Sequence, residues 1–132
     1  MNTTHPLKHI RLHLARSKDK PEGSTQCGYE FVAPLDHRGH ISVEGWKEHR
    51  ERCEVRRFWI NEDEKIGRLV HKSGGPEGAT WIFDYDEDRR DDDEAGYRFD
   101  AHAFVPGEYV TLRDQDASHT FRVASVEGAR PQ

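Results

Sequence analysis

The sequence predicts a mostly β fold: a small antiparallel β-barrel, or a strongly bent sheet, of about eight strands with one short helix. Three observations lead there. Residues 97–126 hold three alternating segments separated by Pro106-Gly107 and by a polar turn at 114–118, the pattern of a β-meander. Five more short alternating or apolar segments precede it. Helical spacing is confined to one stretch around Trp46. At 132 residues the chain suits one domain, 1–132, with 1–6 and 127–132 as frayed tails. Hydrophobic residues make up 33% and charged residues 34%, so the core must be small. It relies on three Trp, four Tyr and six Phe, which bury large areas per residue.

In 9–16, Ile10, Leu12 and Leu14 alternate with Arg11 and His13. Leu7, Ile10 and Leu14 would also fit a helical stripe, but the unbroken alternation favours a strand. Residues 17–27 are polar and read as a loop, and 29–35 as a second strand with Pro34 near its end. The two pair as a hairpin with a long connection. After a turn at 36–40, Ser42 can cap a helix reaching about Cys53, with Val43, Trp46, Arg50 and Cys53 on one face. Gly45 weakens that helix and Trp46 anchors it. Strands follow at 55–60 and 66–72, then a glycine-rich loop at 73–79 and a strand at 81–85. Tyr97, Phe99, Ala101 and Ala103 share one parity and predict a strand over 97–103, followed by strands at 109–113 and 120–126.

The net charge is −5, but residues 84–94 alone carry eight acids and two arginines, −6, which leaves the rest near +1. Residues 8–20 lean basic. This polarity permits a homo-oligomer without requiring one, and two solvated loops explain it as well. Two cysteines make no disulfide framework, no leader or membrane-length apolar run is present, and the expectation is a cytoplasmic protein with reduced thiols.

Several constellations could carry chemistry. His37, His40, His49 and Cys53 read H-x2-H-x8-H-x3-C, and His49 and Cys53 are neighbours on a helix, so nitrogen and thiolate donors could hold zinc. Against this stands a core cysteine among surface histidines. Asp84, Asp86 and Asp88 open like a calcium loop, but Arg89 replaces the glycine and Ala95 the closing glutamate. The glycines of 73–78 lack the G-K-[ST] ending of a phosphate loop. Arg56, Arg57, Phe58 and Trp59 combine cations with stacking surfaces, yet the overall charge argues against nucleic acid. Cys27 could act as a nucleophile only with a histidine brought to it by the fold.

The strings GYEFVAPLD, CEVRRFW, WIFDYD and DDDEAGYRFDAHAFVPGEYVTL resemble a small alphaproteobacterial protein family without an assigned function. The resemblance implies a cytoplasmic bacterial protein and brings no catalytic residue. FVPGEYVTLRD also resembles strands of ferredoxin reductase-type flavin barrels and of PUA-like RNA-binding barrels, through shared turn chemistry.

The sequence therefore favours a non-enzymatic binding module for a protein partner or small ligand. Its expected site lies where the 74–78 loop, the acidic run and the helix start meet at one barrel end. Asp84, Asp86, Tyr97 and His102 are its candidate lining. The alternative is a metal-dependent enzyme or metal-stabilised domain built on the His/Cys cluster.

Overall fold

Alternation of apolar and polar residues underlies an eight-stranded fold, clearest in the first two and last two strands, which bury one parity in the core. In the computed structural model the eight are β1 (Leu7–Leu14), β2 (Ser24–Pro34), β3 (Glu54–Phe58), β4 (Lys65–His71), β5 (Trp81–Asp84), β6 (Glu94–Tyr97), β7 (Tyr109–Arg113) and β8 (Ser118–Gly128). One helix, α1 (Val43–His49), and a following 3-10 turn (Arg50–Arg52) join β2 to β3. The structure describes residues 6–16, 21–71, 81–85, 94–97 (backbone only), 99, 102–113 and 118–129.

Each strand pairs antiparallel with the next, and β1 pairs with β8, so the sheet closes into a barrel. The expected β1–β2 hairpin is present, with Ile10 opposite Phe31 and Leu12 opposite Tyr29. The seam runs from Lys8 opposite Gly128 to Leu14 opposite Phe121, and a bulge shifts the register between Arg11 and Leu12. The interior is packed with side chains. Tyr29 stacks edge-on to Phe121, and Phe31 meets Phe83, Phe99 and Phe104 at centroid distances of 5.2–6.4 Å.

Several boundaries differ from the sequence reading. Helix α1 gives way to a 3-10 turn after His49, short of the expected Cys53, β3 ends at Phe58, and β8 runs through Gly128 into the expected tail because Lys8 pairs with Gly128. β2 begins at Ser24, inside the expected loop, because Ser24 pairs with Leu14 across a register shift, although Thr25 and Gln26 are exposed. The expected strand over 97–103 stops at Tyr97. Beyond it Phe99 and Phe104 are both 1% exposed and pack into the core, and the Phe104 N–H donates to the Gly39 carbonyl at 2.8 Å. The apolar residues there fill one end of the barrel instead of extending its wall.

Helix α1 seats at that same end. The Ser42 hydroxyl caps it by accepting from the Gly45 N–H at 3.0 Å. Trp46 is 7% exposed, donates from Nε1 to the Leu69 carbonyl at 2.7 Å and meets Trp81 edge-on, so it anchors the helix as expected. Gly45 sits against Pro34, whose ring a Cβ would approach to 2.8 Å. Among the described residues, no helix is long and apolar enough to cross a membrane.

Candidate functional site

Strand direction decides which expected site residues can meet. β4 ends and β5 begins at His71 and Trp81, beside Trp46 of α1. β5 ends and β6 begins at the opposite end, where Phe83 pairs with Glu94. The strand ends that flank 73–79 and 86–93 therefore lie at opposite ends of the barrel, and the expected meeting of both segments with the helix start falls outside the described residues. Asp84 closes β5 at the acidic end, opposite Arg68. Tyr97 lies past the Gly96–Trp81 pair at the helix end, as does half-buried His102. Four residues of strand, about 13 Å at the usual rise, separate Asp84 from Tyr97. Asp86 and the acidic run's centre lie outside the described residues, as do 73–79.

The His/Cys quartet is not brought together either. Among the described residues no three His, Cys, Asp or Glu side chains are grouped to hold a metal. His37 is exposed in the turn after β2, where the Asp36 carboxylate instead accepts the Arg38 and His40 N–H groups at 2.8 and 3.0 Å. Those bonds, the His40 one foremost, hold the Asp36 carboxyl below its ordinary range. Cys53 is fully buried, and its thiol is directed at the His49 carbonyl at 3.4 Å. Burial pushes that thiol up to about 11, so it is protonated and a poor metal ligand at neutral pH. Cys27 is buried in the core as well, away from a substrate's reach.

Alternation also divides the cation–aromatic run on β3. Val55 lies opposite Phe31 and Arg57 opposite Tyr29, so these two turn inward, while Arg56 and Phe58 face out. Arg57 covers Trp59 at 4.6 Å and pairs with Glu62, and Trp59 packs against His119 and Phe121 at the acidic end. Arg56 covers Phe58 from outside the barrel at 5.1 Å, as Arg11 does at 5.2 Å.

The register then assembles two rows across the outer wall. One runs Ile66, Arg56, Glu30, Arg11, Ser125 and the next Phe58, Gly28, His13, Arg122, Tyr109. Five strands at about 4.8 Å spacing make each row roughly 19 Å long. Gly28 is required where the second row crosses β2, since a Cβ would lie 1.9 Å from the Leu12 carbonyl oxygen. In the first row Glu30, its side chain 14% exposed, accepts from Arg56, from Arg11 at 2.6 Å, and contacts His9 at 3.1 Å. Burial alone would raise the Glu30 carboxyl, but the Arg56 hydrogen bond and the charges of Arg56, Arg11 and His9 outweigh it and hold it low.

Arg11 links the rows: its Nε donates to His13 Nε2 at 2.9 Å. His13 is held below its ordinary value first by burial and then by the Arg11 charge, so it is neutral near pH 7. With Nε2 accepting, its proton sits on Nδ1. His13 opens onto a groove of about 940 Å³ between the β1–β2 hairpin and the β7–β8 wall. Its far side carries Arg122, Thr120 and Tyr109, and its near side Arg16, Glu22 and Ser24. Tyr109 is 55% exposed. Sequence reasoning passed over these residues; their one signal was the outward parity shared by Tyr109, Thr111 and Arg113.

No protein-family model matches the chain, and neither a curated protein nor a solved structure is significantly similar to it.

Proposed function

We propose that the chain is a non-enzymatic binding module that receives a partner protein on the outer wall of its barrel. The observation that carries this reading is the groove between His13 and Tyr109, placed on the outside of a barrel whose interior is filled. Small-molecule sites are mostly apolar with a few convergent polar groups. This groove is lined mainly by hydroxyls, charges and amides, which suits a protein surface better. Tyr109 and Arg122 are of the residue types that dominate binding energy at interfaces, and they lie cross-strand from each other.

The test is site-specific photocrosslinking in native cell extract. With a photoreactive side chain at Tyr109 or Thr120, the expected result is one discrete adduct shared by both positions. The same group at Lys47, exposed on α1, should not form it. Identical products from Lys47, or no adduct from the groove positions, would refute the reading.

A further inference from the structure

We propose that the groove's occupant is an extended, acidic segment of that partner, its carboxylates held by Arg16 and Arg122 and its backbone by His13 and the groove hydroxyls. This deepens the binding-module reading and rests on it.

The first argument is how the arginines are used. On the same wall, Arg11 and Arg56 are committed to Glu30, and Arg56 also to Glu64. At the acidic end Arg57 is committed to Glu62, and Arg68, midway along β4, donates to the Glu51 carbonyl. Arg16 and Arg122 both line the groove, and the side chain of neither has an ion pair or hydrogen bond among the described residues. Guanidinium groups suit carboxylates because two parallel N–H donors meet two oxygens.

The second argument is that the groove is built of donors. The Ser24 hydroxyl oxygen accepts from the Gln26 N–H at 3.1 Å, which leaves its hydrogen to give. Glu30 fixes Arg11, and Arg11 occupies His13 Nε2, so His13 has only its Nδ1–H to offer. The opposing charge in the groove is Glu22. With His13 neutral, two arginines against one glutamate make the lining +1 among the described residues, on a chain of net charge −5. That local inversion favours an anionic partner over a cationic one.

The third argument concerns the manner of binding. An extended peptide often binds by adding a strand to a free sheet edge. Here the strands under the groove are paired on both sides, His13 with Gly28 and Arg122, and Arg122 with Tyr109, so the backbone ladder there is closed to a guest. Recognition must run through outward side chains, and Arg122 and His13, adjacent across the β8–β1 seam, are placed to provide it.

The experiment is an NMR titration of the full ¹⁵N-labelled chain with three short synthetic peptides, alternating Glu and Ser, Gln and Ser, or Lys and Ser. The expected result is saturable shifts from the Glu peptide at the amides of Ser24, Thr120 and Arg122, weakened by added salt. Affinity should fall about tenfold for each of R16Q and R122Q, the loss expected for one charge-assisted contact. Both arginines are exposed, so the unbound spectra should otherwise match the parent's. Equal binding of the Gln peptide at the groove would overturn the acidic assignment and leave the module reading standing. Shifts from the Glu peptide only outside the groove, or none at all, would also overturn it. The module reading would then stand or fall on the Tyr109 crosslink.

Discussion

A carboxylate on a barrel wall with only 14% of its side chain exposed needs partners, and Glu30 has three of them on two neighbouring strands. Its contribution is electrostatic and so depends on pH. Because its pKa in the fold lies below the ordinary value of 4.5, Glu30 adds stability above that value and loses it as pH falls through the lower folded one. E30Q keeps the shape and removes the charge. Arg11 and Arg56 are about a third exposed, which screens the pairs, so the loss at pH 7 should be modest, about 1–2 kcal/mol. Urea unfolding of both proteins at pH 7 and then in increasing acid should show the gap closing below the ordinary glutamate range. A gap that persists unchanged in acid would mean that packing, not charge, holds Glu30 in place. None of this was legible in sequence, where Glu30 is one charge among many on the outward parity of β2.

The helix shows where local rules read correctly and where they mislead. Ser42, Trp46 and their spacing predict a capped, anchored helix, and one is present. Local reading also takes Gly45 for a weak point, which makes G45A look stabilising by up to about 1 kcal/mol. The tertiary contact reverses that sign. Gly45 is buried against Pro34, and an added Cβ would meet the rigid ring at 2.8 Å and the Ser42 capping oxygen at 3.3 Å. G45A should therefore destabilise the protein, by about 1–2 kcal/mol net, read as a lower thermal or denaturant midpoint. A raised midpoint would show that the helix can shift away from β2 at little cost. The same distinction accounts for the strand expected over 97–103. Alternation reports that Phe99 is buried, but not whether a wall or a plug buries it.

At the scale of the whole molecule, strand count and facing were legible because alternation is local, whereas closure was not. Pairing Lys8 with Gly128 joins opposite ends of the described chain, and no short pattern encodes it. The His/Cys quartet failed for the same reason: proximity in sequence was taken for proximity in space, and among the described residues no three such side chains are grouped to hold a metal. Closure has a direct signature in hydrogen exchange. Successive amides along β1 point alternately at β2 and at β8, so in a closed ring both sets are hydrogen-bonded. They should all exchange slowly, retarded on the order of 10³-fold or more for a domain of ordinary stability. The seam amides of β8 should exchange as slowly, with Ala124, skipped by the register at the bulge, as the expected exception. Fast exchange at every second residue of β1 and β8, with slow exchange between, would mean an open seam. That outcome would also part His13 from Arg122 and remove the floor of the groove, so the closure of the barrel and the proposed binding surface stand on the same line of hydrogen bonds.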